Sequence, residues 1–333
     1  MRLNASEVRR ASSAGAMLVA ALLVASCGGG GTVQNSFVPA RIIAFGDETS
    51  VIDDFQGDGN GRKYSVNAVV SNVDPTLVCG ANPIWIQTLA VNYGNLVFPQ
   101  CNPGPTPLGN PSSRIRAAFG AMAADLSSQI DAQIAESGIG GGDLATVLVG
   151  VNDVLAQYAQ YPSISEPVLT ANLETAGAEV GNQVNRLANA GVKVVVSTIP
   201  DIGFSPYALA EKAAHIDTDR QQLIIRLTSR FNAGLRSTII NDGHMIGLVT
   251  MDQFVDSVVP YPGLDGFTNT TIGVCDLNRS QFSPPSILDC TDFTLISGGT
   301  STSYLWADDR RLSYGAQLQL GNLALSRARS NPF

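Results

Sequence analysis

The chain has 333 residues, 44% of them hydrophobic and 14% charged, which is enough to bury a substantial core and more than a minimal domain needs. Its 20 basic and 28 acidic side chains leave a net charge of −8. An acidic surface without a basic stripe repels phosphate backbones, so nucleic-acid binding is excluded. With two histidines and no Cys-x-x-Cys pair, neither a metal site nor a cofactor is expected.

The first 26 residues do not read as fold. Arg2, Arg9 and Arg10 precede an apolar segment from Ala14 to Ala25, too short to span a bilayer well, as in a signal peptide. Val24-Ala25-Ser26-Cys27 resembles a bacterial lipobox, after which cleavage would leave Cys27 as a diacylated N-terminus held in membrane lipid. The plainer alternative is an ordinary signal peptide with an incidental cysteine. The glycines from Gly28 to Gly31 suit a flexible tether, which runs to about residue 40. Gly28 rather than Asp after the cysteine resembles the outer-membrane sorting class, with either face of that membrane open. Cleavage removes three arginines and Glu7, a net loss of two positive charges, and leaves −10 on the mature chain. Cys79, Cys101, Cys275 and Cys290 then form an even set in an exported protein. They read as two disulfides, most simply Cys79–Cys101 and Cys275–Cys290, with the other two pairings open.

The first strand runs from about Arg41 to Phe45, a short apolar run that breaks at Gly46-Asp47-Glu48-Thr49-Ser50. In open α/β sheets, ligands sit at such carboxyl ends of strands. The run from Asp53 to Gly61 is dense in turn formers and reads as a hydrogen-bonded turn; a calcium loop would need a closing Glu that is missing. Pro83 opens a helix through Trp85 and Leu89, and Leu96-Val97-Phe98 reads as a second strand. Phe119, Met122, Leu126, Ile130 and Ile134 recur at helical spacing and predict a helix over about 114–136, ended by glycines. Leu144–Val149 is a central strand that stops at Gly150-Val151-Asn152-Asp153.

A helix bearing Leu169, Leu173, Ala176, Val180, Val184 and Leu187 follows, closed by Asn189 and Gly191. Val192–Thr198 is the next strand, a long helix is predicted over about 208–238, and Met245–Met251 is a further strand. This alternation argues for a parallel sheet covered on both faces. From Asp252 to Thr302 periodicity is lost, and so long a stretch is either functional or hides an element. A disulfide closing about 15 residues there would contribute about 3 kcal/mol toward ordering it. Ser313 reads as the N-cap of a last helix bearing Leu318, Leu320, Leu323 and Leu325. No repeat or second boundary interrupts a single domain over 41–330.

Gly46-Asp47-Glu48-Thr49-Ser50 resembles the first block of the SGNH (GDSL) hydrolase family, Gly-Asp-Ser-x-Ser, except that Glu48 stands in the nucleophile's slot. Gly120, in Ala118-Phe119-Gly120-Ala121, matches the second block's glycine. Gly150, Asn152 and Asp153 match the third block, Gly-x-Asn-Asp. The fifth block, Asp-x-x-His, falls on Asp308-Asp309-Arg310-Arg311 just before the last helix. The resemblance implies a flavodoxin-like three-layer α/β/α sandwich with about five parallel strands, and the acyl-transfer chemistry of a lipase or esterase. In that chemistry a serine attacks an ester carbonyl, a histidine takes its proton and an aspartate orients the histidine. The oxyanion hole would be the first-block N–H, the Gly120 N–H and the Asn152 side chain, each such donor worth about 3–4 kcal/mol.

Here the nucleophile is Glu48 and the base is Arg311. The resemblance places them side by side, where their attraction at about 4 Å would be on the order of 4 kcal/mol before desolvation, with Asp308 as a second acceptor. Arginine cannot act as a general base near neutral pH, which excludes the Ser-His-Asp mechanism at these positions. The expectation is therefore a lipid-anchored, degenerate member of the family that binds an ester- or glycan-bearing envelope ligand or is structural.

Two alternatives stand beside it. One is a working esterase with unconventional residues. Its candidates are Ser50, which matches the family's structural second serine, and His215, read as a solvated helical histidine. His244, read as a turn residue, and a glycosidase-like pair of Glu48 and Asp308 complete the set. The other alternative is an outer-membrane assembly or interaction factor whose partner surface is the 252–302 stretch. No oligomeric state follows from the sequence.

Overall fold

The computed structural model describes residues 37–94, 96–103 and 112–330, so the proposed signal segment and Cys27 lie outside the described residues. Nine strands are present among them: β1 (Arg41–Gly46), β2 (Ile52–Asp53), β3 (Arg62–Lys63), β4 (Arg114–Ile115), β5 (Asp143–Leu148), β6 (Lys193–Ser197), β7 (Ile246–Val249), β8 (Asn269–Gly273) and β9 (Tyr304–Trp306). The helices are α1 (Trp85–Asn92), α2 (Leu126–Ser137), α3 (Val151–Tyr158), α4 (Glu166–Asn189), α5 (Pro206–Ala214), α6 (Arg220–Thr238), α7 (Met251–Val258) and α8 (Tyr314–Ser330).

The main sheet is five-stranded and parallel in the order β4-β1-β5-β6-β7. Every residue of β5 is buried, as a central strand covered on both faces requires. One face is packed by α4 and α6 together with α2 and α3, the other by α1 and α8. This is the flavodoxin-like three-layer α/β/α sandwich. Helices α4 and α6 approach through Gly177 and Gly234: a Cβ on either would lie 1.9–2.0 Å from a carbonyl oxygen of the facing helix. The reversal of strand order between β1 and β5 leaves a crevice at the carboxyl edge of the sheet, where the Gly46–Ser50 and Gly150–Asp153 segments meet.

Four expected elements change. The sheet position beside β1 is taken by Arg114–Ile115, not by 96–98. Leu96 and Phe98 instead bury into the core, with the Leu96 N–H donating to the Ala90 carbonyl behind α1. The helix expected from about 114 starts at Leu126, because Gly120 turns the chain at φ +74° and Arg114–Ile115 belong to the sheet. Its buried face is Leu126, Gln129, Ile130 and Gln133, while Phe119, Met122 and Ile134 are exposed. Gln129 donates to the Gly46 carbonyl and accepts from the Gly46 N–H, so a polar side chain on the inner face fixes the end of β1.

The helix expected over 208–238 is two. The Asp219 side chain accepts from Gln222 N and caps α6, and His215 sits in extended backbone at the end of α5. His215 is thus a break residue rather than a helical one, with Nε2 3.4 Å from Glu211. In α8 the buried stripe is Ala316, Leu320, Ala324 and Ala328, while Leu323 faces solvent. Ser313 does precede it: its hydroxyl accepts from Ala316 N at 3.5 Å and donates to the Tyr304 carbonyl.

The 252–302 stretch begins inside α7 and carries β8, which pairs in parallel with β9. Both disulfides close as the simplest reading has them, Cys79–Cys101 and Cys275–Cys290. The Asp54 carboxylate accepts from Asp58 N and Gly59 N, a hydrogen-bonded turn. Lys63 is fully buried, and its ammonium donates to the carbonyls of Cys79, Ala81 and Asn82 at 2.5–3.0 Å, pinning the Cys79 loop.

Candidate active-site cleft

Two glycines shape the strand ends. Gly46 has φ +128°, and a Cβ there would lie 1.8 Å from the Leu148 carbonyl oxygen; Gly150 has φ +136°, and its Cβ would lie 2.2 Å from the Phe231 ring. Any other residue would be both strained and obstructed. Past Gly46 the chain enters a single tight turn over Glu48–Ser50, capped by the Asp47 carboxylate accepting from Thr49 N. Past Gly150 it enters α3, which carries Asn152 and Asp153 in its first turn.

These elements converge on Glu48, which is 7% exposed. Its Oε2 accepts from the Gly120 N–H at 3.1 Å and from Asn152 Nδ2 at 3.0 Å. Its Oε1 accepts from Arg311 Nη2 at 3.2 Å. Arg311 in turn donates through Nη1 to Asp308 Oδ2 at 2.5 Å, and its backbone N–H donates to Asp308 Oδ1 at 2.7 Å. One carboxylate thus joins four separated segments: the end of β1, the Gly120 turn, the start of α3 and the loop before α8. Asn152 Nδ2 also donates to the Ala121 carbonyl, and Asp153 Oδ2 accepts from Ala123 N, so the Gly120 turn is held from both sides.

The charge states follow from this packing. Burial pulls the Arg311 guanidinium down, and the Asp308 and Glu48 carboxylates more than reverse that, so its pKa ends above the ordinary value. Burial, reinforced by the neighbouring Glu48 charge, pushes Asp47 up to about 7. Its Oδ2 has no hydrogen-bond partner among the described residues. Burial also raises Asp153 to about 6. A guanidinium fixed between two carboxylates accepts no proton, and Glu48 has both oxygens engaged.

Of the other sequence candidates, Ser50 is fully buried, and its hydroxyl accepts from Trp85 Nε1 at 3.0 Å. His244 lies in the exposed turn before β7, its N–H donating to Asp242. Neither Ser50, His215 nor His244 has a hydrogen bond or ion pair to Glu48, Asp308 or Arg311.

Beside this centre opens a cleft of about 750 Å³. Arg311 and Asp308 form part of one wall, and Ile272, Leu277, Pro284 and Ile287, from the segment around the Cys275–Cys290 disulfide, form the other. Tyr64 and Phe119 stack at its edge, ring centroids 5.1 Å apart and planes inclined by 25°, with the Arg311 guanidinium 5.8 Å from each ring. Burial first, and then the charges of Asp53 and Glu48, push the Tyr64 hydroxyl up to about 12. Tyr64 carries no sequence signal, because it lies in an irregular segment, and Arg310 enters only as a spacer in the Asp308–Arg311 block. Phe119 did carry one, but its helical spacing from Leu126 pointed it into the core. The cue that it does not belong there was its neighbour, Gly120.

No protein-family model and no curated protein matches the chain. Among solved structures it is similar to the protein YxiM of Bacillus subtilis, with a TM-score of 0.38 and 12% identity over 88% of this chain and 57% of that one. The chain therefore spans little more than half of that protein, and a likeness of this strength carries no argument about the site.

Proposed function

We propose that the protein is a lipid-anchored envelope protein, a degenerate relative of the SGNH hydrolases, whose cleft binds an ester- or glycan-bearing envelope ligand without cleaving it. The observation that carries this reading is the Glu48 carboxylate seated on Gly120 N and Asn152 Nδ2. In an acyl-transfer centre those donors serve the oxyanion that develops on the substrate carbonyl. Here an anion covalently part of the chain already holds them. The position of the base carries a permanent cation that neutralises that anion. What remains is a shaped crevice with its reactive corner filled.

Hydrolysis of short-chain chromogenic esters tests the reading, with full-length protein in detergent assayed beside the double variant Glu48→Ser/Arg311→His. Wild type is expected to be silent and the double variant to gain measurable turnover. Wild-type hydrolysis that Glu48→Ala abolishes would overturn the reading. The anchor is tested separately: fatty-acid labelling should mark the wild type and not Cys27→Ala, and the label should fractionate with the outer membrane.

A further inference from the structure

The cleft outside the Glu48 centre is built for one kind of ligand, and its chemistry can be read from what lines it. Its volume of about 750 Å³ falls within the range of about 300–1,000 Å³ typical of small-ligand sites. Phe119 stands 62% exposed at its edge although it is a large aromatic, and Tyr64 supports it by stacking. Asp309 and Arg310 line the same cleft, beside Asp308 and Arg311. Arg310 Nε donates to Asp309 Oδ1 at 2.9 Å, and its guanidinium lies 5.5 Å from the Tyr207 ring. No hydrogen bond is recorded for its terminal nitrogens among the described residues.

An anionic ligand is disfavoured. The lining sets two carboxylates, Asp308 and Asp309, against two guanidiniums, Arg311 is already committed to Asp308 and to a third carboxylate, that of Glu48, and the whole chain is acidic. A plain acyl chain is disfavoured as well, because it would desolvate Asp309 and Arg310 and offer them nothing in return. A neutral sugar ring matches both walls. Its C–H face lies on an aromatic ring, and its vicinal hydroxyls donate to a carboxylate and accept from the fork of a guanidinium.

Resting on the reading of the cleft as a non-hydrolytic binding site, we infer that it takes a neutral glycan, with Phe119 as the stacking platform and Asp309 and Arg310 as the hydroxyl-recognising pair. The walls are preformed. The Asp289 carboxylate accepts from Ser280 Oγ, Gln281 N and Phe282 N and also pairs with Arg62, so the disulfide-closed segment is tied down before any ligand arrives.

The test is an array of neutral and uronic-acid glycans probed with full-length protein in detergent. Calorimetric titration then follows with the best neutral oligosaccharide and, separately, with octanoate. Neutral glycans should be retained over uronic-acid ones and over octanoate. Phe119→Ala should weaken binding about tenfold, Phe119→Trp should retain it, and Arg310→Ala should cost about fivefold, all with unchanged melting temperature. Retention of no neutral glycan, a preference for uronic acids or octanoate, or indifference to both the Phe119→Ala and Arg310→Ala substitutions would overturn the inference. Acetate release from a peracetylated oligosaccharide is measured in parallel. Release that depends on Glu48 sinks the non-hydrolytic reading itself, whereas absence of both binding and release sinks the glycan inference alone.

Discussion

The Glu48 centre and the cleft beside it share residues and yet are opposites in how far their polar groups are satisfied. At the centre, both oxygens of Glu48 are taken, one by two donors and one by Arg311, and Arg311 itself bridges two carboxylates. At the cleft, a phenyl ring is 62% exposed, and the terminal nitrogens of Arg310 have no recorded partner among the described residues. Arg311 Nε alone of these side-chain atoms is buried without a hydrogen-bond partner among the described residues, so a group added from outside would in almost every case have to displace a bond already made, and such a cluster serves cohesion. An unsaturated surface keeps its interaction capacity for something else. The two regions meet within one residue, Arg311 bonding within the centre and Arg310 lining the cleft.

That contrast can be broken from the saturated side first. Glu48→Ala leaves a buried guanidinium with one partner fewer and two donors without an acceptor. It should destabilise the fold by about 3–5 kcal/mol in denaturant unfolding, and Glu48→Gln should recover part of the loss by keeping the Gly120 and Asn152 bonds. A loss under about 1 kcal/mol for the alanine variant would show that the cluster is not a source of cohesion.

Next in size is the cleft wall. Replacing Cys275 and Cys290 together by serine should cost about 3 kcal/mol on a chain-entropy basis. The loss should appear as hydrogen exchange concentrated in residues 275–290, with the Glu48 region still protected. Uniform loss of protection would deny that the two regions are separable.

The third effect is a pH dependence that comes from buried carboxyls, Asp47 and Asp153 beside the centre and Asp201 in the turn after β6. Asp47 and Asp201 are held up to about 7 and Asp153 to about 6, each first of all by burial. A carboxyl with a raised folded-state pKa binds its proton more tightly when folded. Its stabilisation is complete below the unfolded value near 4 and is lost as pH rises through 6 to 7. Unfolding free energy should therefore fall by more than about 1 kcal/mol between pH 5 and pH 8, and Asp47→Asn should flatten the slope. Lys63 acts in the opposite sense: burial lowers it to about 7, so its penalty is relieved only above that pH. A rise in stability from pH 5 to pH 7 would contradict the assignment.

Smallest of all, Phe119→Ala should change stability by less than about 0.5 kcal/mol, since the ring is mostly in solvent. A larger loss would move Phe119 from the recognition surface into the core.

The sequence was most informative where polar residues punctuate strand ends. Gly46-Asp47-Glu48, Gly150-Val-Asn152 and Asp308-x-x-Arg311 each follow an apolar run, and backbone geometry demands the glycines. The Glu48–Arg311 pairing was legible because the block resemblance sets two oppositely charged residues at positions expected to touch. Other features were hidden for physical reasons. Gln129 and Gln133 occupy the inward face of α2 through hydrogen bonds, which an apolar stripe cannot reveal. Strand β4 is two residues long and carries an arginine, and the break at His215–Asp219 contains no glycine or proline to mark it. Past the end of β8, the cleft wall from 274 to 287 has no periodicity, because single turns and side-chain caps such as that by Asp289 hold it rather than a long helix or strand.

The seating of Glu48 against Arg311 has an evolutionary consequence. Serine at 48 alone would leave the buried Arg311 guanidinium with Asp308 as its one carboxylate partner, and histidine at 311 alone would leave the Glu48 carboxylate without its guanidinium. Each single substitution passes through a less stable molecule, so the two positions act as a latch: in any descendant they change together or not at all.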